Sequence, residues 1–209
     1  MIALERPDVP DWLDVSRETA DDLAAFARMI EKWNSAVNLV SRASLVDLWH
    51  RHVLDSAQFY MLMEPSARHW ADLGSGGGFP GIVISLLARS TAPTLRVTLI
   101  EADQRKAAFL SQAVRNFHLN AEIVCNRIEA VASLQADIVT ARALAPLSQL
   151  CGYAVRHVRP EGQAMFAKGQ RWASEVADAR QAWRFDVTAH GSRTDADAAI
   201  LDLKGIVHV

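Results

Sequence analysis

The chain has 209 residues, half of them hydrophobic and 22% charged, with a formal charge of −2. That size and balance suit one globular domain of ordinary size with an appendage and exclude a disordered chain. No apolar run approaches the ~20 residues of a membrane-spanning helix, and Met1-Ile-Ala-Leu-Glu-Arg-Pro-Asp-Val-Pro10 carries no basic-then-apolar export signal. Residues 17–35 place Leu23, Phe26, Ala27, Ile30 and Trp33 at helical spacing. A second helix is expected from Ser44, with Asp47 three residues on as its capping partner, to about Met63. These helices form an N-terminal helical cap, residues 1–66.

From residue 67 short apolar runs alternate with helical segments to the end, residues 67–209, as one compact unit. Strands are expected at His69–Leu73, Arg96–Ile100, Ala121–Cys125, Asp137–Ala141 and Gln163–Ala167. Helices are expected at 80–90, 104–117, 128–133 and 146–158. Phe185–Ala189 and Ala199–Lys204 flank the polar Gly191-Ser-Arg-Thr-Asp-Ala-Asp197 and read as an antiparallel edge hairpin. The expected class is therefore α/β: a Rossmann-like, mostly parallel seven-stranded sheet with an antiparallel edge and helices on both faces.

Asp72-Leu-Gly-Ser-Gly-Gly-Gly-Phe-Pro-Gly81 holds five of the ten glycines between a strand and a helix. Glycine lets such a turn lay bare backbone against a ligand, and the helix behind it offers N–H groups and a positive dipole end. Pro80 suits that helix's first turn. A phosphate-cradling loop needs Lys-Ser/Thr after the last glycine, where Ile82 stands. A dinucleotide fold needs GxGxxG, which residues 76–81 satisfy, with Glu101 twenty residues on as the ribose acid. The third reading is S-adenosylmethionine, which carries a sulfonium and an ammonium. Asp72 at the loop entrance would attract those cations and repel a pyrophosphate, and Gly74, Gly76 and Gly78 follow it at the spacing of a methyltransferase motif. The bland role for Asp72 is to cap the helix behind the turn. Charge favours the methyl donor.

The wider set comprises Trp33-Asn-Ser-Ala-Val-Asn-Leu39, His52-Val-Leu-Asp-Ser56, the glycine turn, Glu101 with Lys106-Ala-Ala-Phe-Leu110, Asn126-Arg-Ile-Glu129 and Thr140-Ala-Arg-Ala143. In this order it resembles the bacterial 16S ribosomal RNA guanine-N7 methyltransferases of the RsmG (GidB) type, over about residues 20–170. The resemblance implies a class I S-adenosylmethionine-dependent methyltransferase acting on a guanine in the decoding region of the 30S subunit. Position by position it implies Gly74, Phe79, Ile128, Glu129 and Arg142 as cofactor contacts, with Asp72, Gly76, Gly78 and Glu101 from the turn and its partner strand. Runner-up readings are an NAD-dependent oxidoreductase and a non-catalytic ribosome-assembly factor.

Guanine N7 carries a lone pair and no proton, so its methylation needs no general base. Neither cysteine follows a proline, as a pyrimidine-C5 enzyme would require, and no Pro-Pro-aromatic tetrapeptide follows the fourth strand. A carboxylate to steady the developing purine charge is assigned to Asp55. His52-x-x-Asp55-Ser56 lacks the elbow of a hydrolytic triad, so it braces the cap or lines the substrate mouth. Residues 1–70 carry a charge of −4 and residues 71–209 one of +2, which places RNA contacts in the second part: Arg142, Lys168 and Arg171, with Arg156, His157 and Arg159 as further candidates. Cys125 and Cys151 form no metal-ligand cluster. A cytoplasmic monomer with no metal and no membrane contact is expected.

Overall fold

The computed structural model describes residues 8–209; the first seven residues of the stretch read for an export signal lie outside it. A helix α1 (Arg17–Asn34) is capped by Ser16, whose Oγ accepts from the Thr19 N–H at 3.1 Å. It buries Leu23, Phe26, Ala27 and Ile30, the stripe expected from their spacing. The second cap helix is broken into pieces. Ser41, not Ser44, caps α2 (Arg42–Leu45) by accepting from the Ser44 N–H at 3.2 Å. A π-helical turn over Trp49–Leu54 then runs directly into α3 (Asp55–Met61). Asp47 does not reach back to a backbone N–H but faces His50, 3.9 Å away.

Strands β1 (His69–Leu73), β2 (Arg96–Ile100), β3 (Ala121–Val124), β4 (Ala136–Arg142), β5 (Val158–Lys168), β6 (Trp183–Gly191) and β7 (Ala199–His208) form one seven-stranded sheet in the order β3-β2-β1-β4-β5-β7-β6. The first five run parallel, and β7 is antiparallel to both β5 and β6. The expected mixed α/β class and its edge hairpin are borne out. Helices α4 (Gly81–Thr91), α5 (Gln104–Asn116), α6 (Leu147–His157) and α7 (Trp172–Ala179) cover the faces. The expected helix at 128–133 is a single 3-10 turn, Ile128–Ala130, and α7 was not anticipated.

Alternation along the strands separates two cores. Trp70, Val97, Leu99 and Ile138 pack with α1, α3, α4 and α5, so the cap helices share an apolar core with one sheet face. Ala71, Leu73, Val139 and Phe166 pack with α6 on the other. Strand order reverses between β1 and β4, where the chain leaves for β2 and β3 and later returns. Open α/β sheets bind ligands at that switch point, outside the carboxyl ends of the strands. Here the switch brings the Gly74 turn beside Arg142.

Candidate active site

The turn after β1 needs its glycines for conformation and for space. Gly74 has φ +66°, and a Cβ there would lie 2.6 Å from the Leu144 side chain. Bare backbone thus lets the turn meet the loop that follows β4. The N–H groups entering α4 are already engaged. Gly78 and Phe79 donate to the Ser75 carbonyl at 2.7 and 3.3 Å, and Gly81 donates to Asp72 Oδ2 at 3.2 Å. The expectation of free N–H groups aimed at a ligand is therefore corrected. A carboxylate stands where a pyrophosphate would look for donors.

Asp72 is also corrected. It does not greet the ligand at the mouth: it is fully buried and caps α4 from beneath the turn. Its other oxygen accepts from Thr140 Oγ1 at 3.0 Å, tying β1 to β4. The cause is position: Asp72 lies one residue inside a central strand, where the following helix covers it. Burial pushes its carboxyl up to about 6, against the pull of its hydrogen bonds. Gly78 lies behind the turn as well, since its Cβ would meet Ile82 at 2.6 Å.

The remaining cofactor candidates converge. Gly74, Gly76, Phe79, Glu101, Ile128, Glu129 and Arg142 line one cavity of about 430 Å³ over the carboxyl ends of β1 to β4. Glu101 accepts from the Gly76 N–H and the Asp103 N–H, both at 2.8 Å, one at each oxygen. Its carboxylate is thereby fixed, and each oxygen keeps a lone pair for a vicinal diol. Glu129 is exposed and accepts from Tyr153 Oη at 2.7 Å, which lowers its carboxyl and raises the phenol. Phe79 packs between Phe26 and His52, ring centroids 5.4 and 5.0 Å away. Sequence reasoning missed Lys106, Tyr153, Leu39 and Val40 as lining. Asn34 Oδ1 accepts from the Leu39 and Val40 N–H groups at 2.8 and 2.9 Å. The Trp33–Leu39 motif was the available signal for that wall.

A second cavity of about 800 Å³ adjoins the first, and His52, Arg142 and Ala143 belong to both walls. Arg142 Nε lies 3.3 Å from Asp55 Oδ2, while Nη2 donates to the Arg51 carbonyl at 3.0 Å and to His52 Nδ1 at 2.6 Å. Its Nη1 is buried without a partner among the described residues. Burial, reinforced by the Arg142 and Arg51 guanidiniums, pushes the His52 imidazole down to about 3, so the ring is neutral. Asp55 Oδ1 accepts from Thr194 Oγ1 at 2.9 Å, which draws the β6–β7 turn over the cavity.

The basic residues divide. Arg51, which was missed, lines the second cavity and is exposed. Lys168 lines it too, but its ammonium is buried and held by Glu175 and the Ala145 carbonyl, both at 2.7 Å, so it is not free for a phosphate. Arg171 is exposed at the start of α7 and belongs to neither of these two cavities. His157 is buried against the Ile128 carbonyl, Arg156 holds the Val131 carbonyl, and Arg159 pairs with Asp137 at the opposite sheet edge. Among the described residues no group of three His, Cys, Asp or Glu could hold a metal.

The sequence profile of GidB, the rRNA small subunit methyltransferase G, matches residues 19–199. A "Ribosomal RNA small subunit methyltransferase G" of Cereibacter sphaeroides is 48% identical over 197 residues, 94% of this chain and 96% of that protein. The chain belongs to the rRNA small subunit methyltransferase G family. Membership bears out the methyltransferase reading with S-adenosylmethionine as donor and overturns the dinucleotide alternative. Another family member, from Paracoccus denitrificans, is 44% identical over 94% of this chain and all of that protein. Among solved structures, M. jannaschii TYW2 in complex with AdoMet superposes with TM-score 0.55 at 11% identity, covering 82% of this chain and 78% of that one. A SAM-dependent methyltransferase from Aquifex aeolicus gives TM-score 0.57 at 11% identity over 87% and 98%. These likenesses place the family fold in class I, as expected.

Proposed function

We propose that the chain transfers a methyl group from S-adenosylmethionine to N7 of a guanine in 16S ribosomal RNA, within the 30S subunit. The observation that carries this reading is the meeting of two cavities at Arg142 and His52 in a member of this family. The smaller cavity fits the donor. Glu101 offers a fixed carboxylate to the ribose hydroxyls, Ile128 and Glu129 face the adenine, and Arg142 Nη1 is a buried cation without a partner for the donor's carboxylate. The bound donor supplies an electrophilic methyl on a sulfonium. The larger cavity takes the acceptor purine, splayed from its RNA, because proteins read single-stranded and looped RNA by extruding bases. Arg51 at its rim meets a phosphate.

No side chain here is required to take a proton, since N7 has none. The protein's contribution is alignment, and well-oriented intramolecular reactions gain as much as ~7–11 kcal/mol. Asp55 stands at the wall of the acceptor cavity, held by Arg142 and Thr194. That place suits a carboxylate that steadies positive charge growing on the purine. Residues 1–66 serve as a cap over the catalytic unit 67–209, and the protein works as a cytoplasmic monomer without a metal. No helix among the described residues is long and apolar enough to cross a membrane.

The test is incubation of the protein with labelled donor and 30S particles from a strain lacking it, followed by chemical cleavage at N7-methylated guanine. One labelled cleavage site in 16S RNA is expected. Donor binding with no label in RNA would favour a non-catalytic assembly factor.

A further inference from the structure

The partition between the two cavities carries polar hydrogens that nothing among the described residues accepts. Arg142 Nη2 donates to His52 Nδ1 at 2.6 Å, so Nδ1 is the acceptor nitrogen of the ring. A neutral imidazole has one N–H, which places the proton on Nε2. That atom is buried and has no partner among the described residues. The ring's place is set from several sides. Phe79 packs against it at a tilt, ring centroids 5.0 Å apart, and the π-helical turn carries it between the cavities. Burial first, and then the Arg142 and Arg51 charges, keep it neutral, while Asp55 is engaged with Arg142.

The substrate's own chemistry supplies the complement. Guanine presents N7 and O6 side by side as acceptors on one edge, whereas adenine presents N7 beside an amine that donates. A purine in the acceptor cavity that turns N7 toward the donor cavity must lay its six-position substituent against the same partition. We propose, resting on the guanine-N7 reading above, that His52 Nε2–H donates to O6 of the target guanine and makes the site selective for guanine over adenine. Arg142 Nη1 stays with the donor's carboxylate. A purine carrying an amine at that position would set donor against donor and leave the buried Nε2–H unpaired, the kind of mismatch by which polar sites reject analogues most strongly.

The experiment replaces the target guanine, in reconstituted small subunits, by 2-aminopurine, which keeps N7 and the 2-amine but has no oxygen at position six. Wild type, His52→Phe and His52→Gln are compared on both substrates. Circular dichroism and thermal midpoint serve as readouts of an intact fold. Wild type should lose at least about 100-fold in kcat/KM on 2-aminopurine. His52→Phe, whose overall rate falls with the lost Arg142 contact, should nonetheless treat the two substrates alike within a few-fold, and His52→Gln, which keeps an N–H, should recover part of the discrimination. Equal rates of wild type on both substrates, or undiminished discrimination in His52→Phe, would overturn the role of His52 while the N7 reading stands. Absence of N7 label with wild type and the natural guanine would instead overturn the reading itself. If His52→Phe fails to fold, His52→Gln and the wild-type pair decide.

Discussion

The two cavities that meet at Arg142 are built by different means. The donor cavity is mostly backbone and strand ends: a glycine turn, the carboxyl ends of β1 to β4, and one carboxylate locked by two N–H groups. The acceptor cavity is assembled from side chains of four separate segments, around residues 41–55, 142–143, 167–169 and 192–200. The first is rigid because the fold makes it so, and it serves a ligand common to many enzymes. The second is held by pairs such as Asp55 with Arg142 and Thr194, and under the proposed function it is the side that takes the acceptor. Donor chemistry thus resides in the fold and substrate choice in long-range side-chain contacts.

The sharpest way to break this division is at the residue that joins both halves. Arg142→Ala should strip an ion partner from Asp55 and a donor from His52 at once. Loss of one member of a buried, hydrogen-bonded charge pair costs about 2–5 kcal/mol. Methyl transfer to 30S particles should fall by about 10³-fold in kcat/KM, and Arg142→Lys should not restore it, because one ammonium cannot span Asp55, the Arg51 carbonyl and His52. A lysine variant with near wild-type kinetics would show that only charge matters at the junction.

Next in size is a contrast between glycines. At Gly81 a Cβ would lie 2.8 Å from both Asp72 Oδ2 and the Leu99 side chain, in a fully packed interior. Gly81→Ala should destabilise by about 1–3 kcal/mol in urea unfolding, as overpacked cores do. Gly169, on the rim of the acceptor cavity, has nothing within 4 Å, and Gly169→Ala should stay within about 0.5 kcal/mol. Equal effects would erase the distinction between a rigid donor side and an adaptable acceptor side.

The same division explains what could be read in the chain. Strands β1 and β2 were placed to the residue because their apolar runs are punctuated locally by glycine and charge. The residues from Gly74 to Arg142 that share one cavity were named chiefly through the family resemblance, and their place at strand ends beside a switch point explains why they meet. Asp72 was misplaced because its burial depends on Thr140, far along the chain, closing over it. Lys168 looked like a free cation, and only the unanticipated α7 brings Glu175 to it. That helix buries a single residue, Ala179, so its apolar pattern was faint. Ser41 took the cap role expected of Ser44 because both hydroxyls lie within one turn and the earlier one sits before the helix.

Glu101→Gln sharpens the donor side alone. An amide can accept from only one of the Gly76 and Asp103 N–H groups, and its NH₂ would face the other. An unsatisfied buried donor costs about 1–3 kcal/mol. Titration calorimetry should show S-adenosylhomocysteine affinity falling about 10- to 100-fold, with 30S association at low salt unchanged. Loss of 30S association instead would mean the two cavities do not bind independently.

The smallest expected effect is a pair of opposed slopes in stability against pH, one from His52 in the partition and one from Asp72 buried beneath the glycine turn. In the unfolded chain His52 takes a proton near 6.5, whereas in the folded protein it resists until about 3. Its contribution is therefore complete above 6.5 and lost as pH falls. Asp72 behaves in reverse: unfolded, it ionises near 3.8, but burial holds the proton to about 6. Its contribution is complete below 3.8 and lost as pH rises through 6. Urea midpoints measured between about pH 4 and 7 should show partial cancellation in wild type. His52→Phe should then gain stability relative to wild type as pH falls through that range, and Asp72→Asn should lose it. Parallel curves for the three proteins would mean that neither group is held away from its ordinary titration, and the burial assigned to both would have to be withdrawn.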